Sequence, residues 1–432
     1  MINRSLAPSI KPFDNVRFDF PKPQELSNGI PIYIVDRGEE DVNRLSLHVR
    51  GGVLDETRSM ESTLTASTAL EGSRQHNSEQ IALCLDFNGG WKATQTYDDW
   101  SELSLWSLNE HFDETLPIFA ECIAEPTFSQ QDFQLLQRRM AGTCAMIRQR
   151  VKNMAAEELR RMFYGVDHPL SVETTPEGIM ALEPSHLMAF HRRFYHTSDM
   201  IVIISGHITD KEMSLVDRLI GHLDMPGAPV PKYDWSQFQV PSAGSMSVVD
   251  KPDAVQSAIA IALPAVPRRH PHYIKLRVLA TVLGGYFGSR LMMNIREDKG
   301  YTYGISAALS GREHTAYVII STECATRYTW AVIEEIKNEM KRLREHPVMA
   351  SEIETVKQYM MSDLVKTLDT PFSMASYVAS TITYGIYPEY YNEQVAQIMA
   401  ITAADLQEMA QLYLREERML ISVAGNRSVL GR

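Results

Sequence analysis

The sequence predicts an α+β protein made of two homologous domains, each a mainly antiparallel sheet packed with helices. The first observation is length, because 432 residues exceed what a single hydrophobic core usually organises. The second is an internal repeat, since residues 185–207 and 404–426 match at a constant offset of 219 residues and so indicate two similar units. The third is the stretch 224–244, whose four prolines are typical of a linker.

Each copy of the repeat has the pattern of an amphipathic helix, a polar turn, an apolar strand and a glycine. In this register Leu187 corresponds to Leu406. The predicted strands at 200–205 and 419–424 are apolar at nearly every position, as expected of strands in the middle of a sheet. We therefore predict that these two strands are structural equivalents.

Alternation of apolar and polar residues predicts the remaining strands, and apolar residues at helical spacing predict the helices. The clearest strand is 45–50, where every second residue is Leu or Val. The other strands are predicted at 30–36, 91–97, 102–108, 257–263, 303–309 and 316–322. The helices are predicted at about 110–124, 129–164, 274–296, 328–345 and 349–368. These elements divide the chain into an N-terminal domain (1–226), a linker (227–241) and a C-terminal domain (242–432).

Composition and charge exclude several classes of function. A net charge of −12 disfavours nucleic acid as a partner, because phosphate binding needs a basic surface. The four cysteines form no CxxC or other zinc spacing, and we interpret them as buried, reduced thiols. We find neither the apolar core of a signal peptide nor an apolar run long enough for a membrane span. The expected location is the cytoplasm, with no membrane partner.

Four segments, in their order along the chain, carry a resemblance to a known family. They are "LSNGIPIYIVDRG", "EGSRQHNSEQIALCLDFNGGWKATQTYDDWSELSLWSL", "HPLSVETTPEGIMALEPSHLMAFHRRFYHTSDMIVIISG" and "LGGYFGSRLMMNIREDKGYTYGISAAL". These segments resemble the M16 peptidases, the family of pitrilysin, insulinase and the mitochondrial processing peptidases. The resemblance covers nearly the whole chain and includes the short bacterial members. It implies that each half is a six-stranded type of sheet with helices on one face.

Active members of this family carry His-x-x-Glu-His on a helix, in which two histidines bind zinc and the glutamate acts as the general base. The resemblance places those positions at Thr63, Ala66 and Ser67, and a further zinc-binding glutamate at about Thr143 or Cys144. These side chains supply one soft ligand at most. None of the thirteen histidines has another His or a carboxylate at a recognised spacing. We therefore expect no zinc in this chain, no hydrolysis by the chain alone, and a structural role for the helix.

A second feature of the family is retained. The resemblance assigns to Arg296 and Tyr303 the roles of an arginine and a tyrosine that reach the zinc site of the opposite domain, bind the substrate carbonyl and stabilise the oxyanion. The chemistry is suitable, because both side chains donate hydrogen bonds where negative charge develops. The alternative is a surface arginine paired with an adjacent acid and a tyrosine at a sheet edge. The strand that contains Thr94 and Thr96 resembles the family's edge strand for an extended peptide substrate, or is an ordinary edge strand.

Three functions remain open. The first is a non-catalytic M16 subunit that pairs with a zinc-bearing partner, as a heterodimer, and contributes Arg296 and Tyr303 to peptide hydrolysis. A homodimer is the alternative assembly. The second function is a structural scaffold of the kind found as core subunits of respiratory complexes, which would not need that pair. The third is an active zinc endopeptidase with atypical ligands, which the set of available ligands disfavours.

Overall fold

The computed structural model describes residue 13 and residues 16–431. The first half contains six strands: β1 (Gln24–Glu25), β2 (Pro31–Asp36), β3 (Val42–Arg50), β4 (Trp91–Thr96), β5 (Trp100–Leu108) and β6 (Ile201–Gly206). Its helices are α1 (Glu61–Ala69), α2 (Ser78–Phe87), α3 (Phe112–Ala124), α4 (Gln130–Arg148), α5 (Val151–Tyr164), α6 (Pro176–Met180), α7 (Pro184–Phe194) and α8 (Asp210–Leu219).

The second half has five strands within the described residues: β7 (Ser245–Asp250), β8 (Gln256–Pro264), β9 (Thr302–Gly311), β10 (Ala316–Ala325) and β11 (Leu420–Gly425). Its helices are α9 (Tyr273–Ala280), α10 (Thr329–Glu345), α11 (Ala350–Lys366), α12 (Pro371–Thr383), α13 (Tyr390–Ala400), α14 (Ala403–Tyr413) and α15 (Arg427–Leu430). Residues Thr281–Gly285 and Met292–Asp298 form short π-helical turns.

The two sheets have the same topology apart from one strand. The first has the order β1-β2-β6-β3-β5-β4 and the second the order β7-β11-β8-β10-β9. In each sheet one pair is parallel, β2 with β6 and β7 with β11, and the other pairs are antiparallel. The predicted α+β fold of two homologous domains is therefore confirmed. The expectation of six strands per sheet is wrong for the second half, where β1 has no counterpart among the described residues.

The repeat predicted from the sequence is also present in the structure. Helix α7 begins at Pro184 and α14 at Ala403, and strand β6 begins at Ile201 and β11 at Leu420. Both pairs are separated by the predicted 219 residues. Leu187 and Leu406 are both fully buried, because each lies on the helix face that packs into its own core. The two strands are thus equivalents, as expected.

The two halves exchange one helix each. Helix α5 belongs to the first half in sequence but packs on β8 and β11 of the second sheet. There Leu159 and Phe163 join a buried cluster with Ala260. Helix α12, which lies about 219 residues further along, packs on β6 and β2 of the first sheet. A helix therefore covers the second face of each sheet. The covering helix comes in each case from the other half of the chain.

The polar face of β3 is also buried, and Arg44 on this face contacts helix α12. Ser46, His48 and Arg50 alternate with the apolar residues, as a half-exposed strand would, yet each is at most 5% exposed. Arg44, on the same face, forms an ion pair with Glu102 and donates a hydrogen bond to the Ser376 Oγ of α12 at 3.1 Å. Burial also lowers the pKa of His48 to about 4. At Arg44 the second face therefore makes a polar contact with the other half, whereas Val35 and Ile203 join an apolar cluster with residues of that half.

The helix predicted at 129–164 is divided in the structure. Helix α4 ends at Arg148, and Arg150 has an extended backbone before α5 begins at Val151. The sequence has no glycine or proline at this point, so local signals do not predict the break. The break redirects the chain and lets α5 lie on the second sheet, and it also forms one side of a cavity between the two helices.

Candidate functional site

Helix α1 carries the three positions that the resemblance assigns to a zinc motif. Ala66 is fully buried, whereas Thr63 and Ser67 are partly buried. The hydroxyl oxygen of Ser67 lies 3.1 Å from that of Thr94 on β4, so Ser67 links the helix to the edge strand. These residues hold the helix in place, because small side chains allow close packing without burying an unpaired charge.

The start of α1 is stabilised by Glu56, which precedes the helix. Met60 has a left-handed backbone with φ 70°, which is uncommon for a residue other than glycine. The Glu56 carboxyl group accepts hydrogen bonds from the backbone N–H groups of Met60 and Ser62, each at 3.1 Å. Glu56 thus acts as a cap, because the first N–H groups of a helix have no partner within it. Glu61, the first residue of α1, accepts a hydrogen bond from the Thr57 N–H and so ties the preceding turn to the helix.

The fourth position lies on α4. Thr143 is exposed and Cys144 is partly buried, and the Cys144 thiol donates a hydrogen bond to the Thr174 carbonyl oxygen at 3.4 Å. Burial raises the pKa of Cys144, which disfavours the thiolate that a metal would require. Within residues 16–431 no three His, Cys, Asp or Glu side chains are grouped to hold a metal ion. The residues at the zinc positions do not fit the ion, since the hydroxyl groups of Thr63 and Ser67 take the place of the two imidazole ligands and a methyl group takes the place of the general base.

The second candidate feature is the pair of Arg296 and Tyr303. Arg296 lies in the π-helical turn 292–298, and Tyr303 lies near the start of the edge strand β9. The Arg296 guanidinium carbon is 5.6 Å from the centroid of the Tyr303 ring, a distance typical of a cation–π contact. The Tyr303 side chain is 92% exposed. The structure thus brings together two residues that are seven positions apart in sequence.

One further residue belongs to this group and was not predicted. The same guanidinium lies 4.7 Å from the ring centroid of Phe287, which is 63% exposed. Arg296 also forms an ion pair with Glu297 at 2.7 Å. Phe287 lies in the glycine-containing segment 284–289, where it follows Tyr286 between two glycines. Arg296 is thus held by two aromatic rings and one carboxylate.

The edge of the first sheet is the third feature. Strand β4 is the last strand of the order and pairs only with β5 among the described strands. Trp91, Ala93 and Gln95 are exposed, and Trp91 stacks on Trp106 of β5 at 4.9 Å. The free N–H and C=O groups of such an edge can pair with an extended peptide.

The fold and the edge strand resemble those of the M16 peptidases, and the positions assigned to the zinc motif lack metal ligands. Comparison with known proteins agrees. Residues 181–360 match the family described as "Peptidase M16 inactive domain". The "Uncharacterized zinc protease YmxG" of Bacillus subtilis is 21% identical over 308 residues, or 71% of this chain and 74% of that protein. The "Non-peptidase homolog YmxG" of Helicobacter pylori is 19% identical over 413 residues, or 94% of each chain.

A solved structure has the same fold. The crystal structure of the peptidase M16 inactive domain from Pseudomonas fluorescens superimposes with a TM-score of 0.85 at 20% identity, and the match covers 94% of this chain and 98% of that one. The predicted resemblance to the M16 peptidases is therefore confirmed. Within the described residues, no helix combines the length and apolar character needed to cross a membrane.

Proposed function

We propose that this chain is the non-catalytic subunit of a two-chain M16 peptidase. Its partner has a similar fold and binds the zinc, and this chain contributes Arg296 and Tyr303 to the site where peptides are cut. The observation that carries the proposal is the exposure of Tyr303, 92%, directly beside an arginine that two rings hold in place. The name of the Helicobacter pylori relative, a non-peptidase homolog, is consistent with a chain that does not cut peptides alone.

The two side chains suit a developing oxyanion. Arg296 supplies a permanent positive charge and several donors, and Tyr303 supplies one directional O–H. Donors that are already in position stabilise negative charge at the substrate carbonyl as it forms, and this lowers the barrier more than it tightens substrate binding. The partner's zinc would supply the activated water. An extended peptide would lie along β4, where its backbone can complete the sheet. The four reduced cysteines support the cytoplasm as the location.

The test measures peptide hydrolysis by the zinc-bearing partner alone, by this chain alone and by the two together. Arg296→Ala and Tyr303→Phe in this chain should lower the turnover of the complex by roughly ten- to a thousand-fold, the range for loss of one oxyanion donor. The loss should be greater in kcat than in KM. Tyr359→Phe is the matched control, since Tyr359 is a partly exposed tyrosine on α11. Full activity of both variant complexes would favour the scaffold function, and a chain that forms only homodimers would exclude a heterodimer.

A further inference from the structure

A cavity of about 520 Å³ lies beside the former zinc position. Helices α4, α5 and α6 enclose it together with Met60, the residue with the left-handed backbone. Its size is within the roughly 300–1,000 Å³ typical of small-molecule sites. Much of the wall is apolar, contributed by Met60, Met140, Ile147, Ala156, Val172 and Ile179. Thr143 and Cys144 also line it, so the cavity includes the fourth position of the altered zinc site.

The charged residues of the cavity give it a net positive charge. Three arginines and one glutamate line it: Arg139, Arg148, Arg160 and Glu157. Arg148 is already engaged, because it forms ion pairs with Glu157 and Glu173 and donates to the Thr174 carbonyl oxygen at 2.9 Å. Neither Arg139 nor Arg160 has a carboxylate within ion-pair distance among the residues that the structure describes. Two cations therefore remain available to a ligand.

We propose that this cavity binds an apolar chain that ends in a carboxylate. The apolar wall would bury the chain and remove its apolar surface from water, which is favourable, and Arg139 and Arg160 would bind the carboxylate through charge-assisted hydrogen bonds. The described lining includes no aromatic ring, so a nucleotide base would have no stacking partner. A cationic ligand would meet two unpaired arginines. The site does not involve Arg296 or Tyr303 and is independent of the proposed peptidase function.

Two sources could provide this chemistry, a fatty acid and the C-terminal end of an apolar peptide. The first experiment is calorimetric titration of the full chain with decanoate, decanol, the tripeptide Leu-Val-Leu with a free carboxylate, and its C-terminal amide. The acids should bind at least ten-fold more tightly than the uncharged compounds of the same source. The tighter of the two acids identifies the source. Equal affinity of each acid and its uncharged counterpart, or no binding at millimolar concentration, would overturn the proposal.

Variants locate the site. Combined Arg139→Ala and Arg160→Ala should weaken binding of the preferred acid at least ten-fold. Arg138→Ala is the matched control, because Arg138 is exposed on the same helix, bonds to the Gln134 carbonyl oxygen and does not line the cavity. Ala156→Phe should block the cavity and abolish binding, with circular dichroism to confirm folding. An equal loss in the Arg138→Ala control and the double variant would contradict the assignment.

Cys144 provides a second readout. The preferred acid should slow its alkylation by iodoacetamide, measured at pH 8.5 by peptide mass spectrometry, because the thiol lines the cavity. Cys84 is the internal control, as it is also partly exposed but lies on α2, outside the cavity. Protection of Cys144 alone supports the site, and equal protection of both or of neither would overturn it.

Discussion

The Arg296 guanidinium and the Tyr303 ring face each other at 5.6 Å across the junction between a π-helical turn and the strand that follows it. A π-helical turn has one residue more than an ordinary turn, and such turns are frequent at functional sites. The junction combines a tyrosine that has almost no packing with an arginine that is only 25% exposed in its side chain. Substitution of Tyr303 should therefore change the stability of the chain less than substitution of Arg296.

Tyr303→Phe and Tyr303→Ala should leave the free energy of unfolding of the isolated chain within about 0.5 kcal/mol of wild type, as for most exposed positions. The reason is the 92% exposure of the side chain. Urea unfolding followed by circular dichroism measures the change. A loss above about 1.5 kcal/mol would indicate that Tyr303 has a structural role, and any loss of activity in a complex could not then be assigned to catalysis.

Phe163→Ala should destabilise the chain by about 3–5 kcal/mol, the usual cost of deleting a buried phenylalanine. Phe163 is 2% exposed, and its ring centroid lies 4.6 Å from that of Tyr317 on the second sheet. Lys152→Ala on the same helix is the control, since Lys152 is exposed. Urea unfolding of the two variants compares them. Equal stability would show that the packing of α5 on the second sheet contributes little to folding.

Glu56 should make stability fall as pH rises. Burial raises its pKa from the ordinary 4.5 to about 7, in spite of hydrogen bonds from Ser62 and Met60 that lower it. The native state therefore holds a proton that the unfolded state has lost between these two values, so the stabilisation is complete below pH 4.5 and is lost as pH rises through about 7.

The Glu56→Gln variant tests this dependence, because glutamine has a similar shape and does not titrate. Relative to Glu56→Gln, the wild type should lose on the order of 2 kcal/mol between pH 5 and pH 8. Urea unfolding of both proteins at intervals of half a pH unit gives the difference. Parallel pH profiles would mean that the carboxylate is ionised in the folded chain throughout.

We expect well under one zinc ion per chain after purification and incubation with zinc. Catalytic zinc needs three protein ligands, and Cys144 is the only soft ligand that the four aligned positions offer. Metal analysis by mass spectrometry measures the content, with a His-x-x-Glu-His peptidase treated in parallel. One zinc per chain, removable by a chelator, would instead support the hypothesis of an active endopeptidase with atypical ligands.

The sequence predicted the elements that depend on local pattern. Strands β6 and β11 are strongly apolar and end in glycine, and they lie within one residue of the expected bounds. Strand β7 was missed because its residues alternate weakly and lie at a sheet edge, where they are exposed or partly buried. The burial of His48 was also missed, since alternation with apolar residues usually places a polar side chain on the exposed face of a strand.

The candidate site also contains residues that the sequence predicted and residues that it did not. Arg296 and Tyr303 were predicted through family resemblance, and the structure brings them together. Phe287 was missed because two aromatic residues between glycines, Tyr286 and Phe287, form no recognisable functional pattern. The cavity was missed because its wall combines Met60 with residues as distant as Ile179, and the break at Arg150 that shapes it has no local signal.

The exchange of α5 and α12 has a consequence for any attempt to divide the chain. If the gene were cut in the linker, each product would carry a helix whose apolar face has lost its sheet and a sheet that has lost its covering helix. A single half could bury this helix face and this sheet face only against another half. The simplest arrangement is a two-fold dimer in which the helix of each copy packs on the sheet of the other. The linker turns that encounter into an intramolecular step, which raises the effective concentration of one half for the other to about the millimolar range. Co-expressed halves should therefore reassemble into one particle, whereas each half alone should dimerise or aggregate.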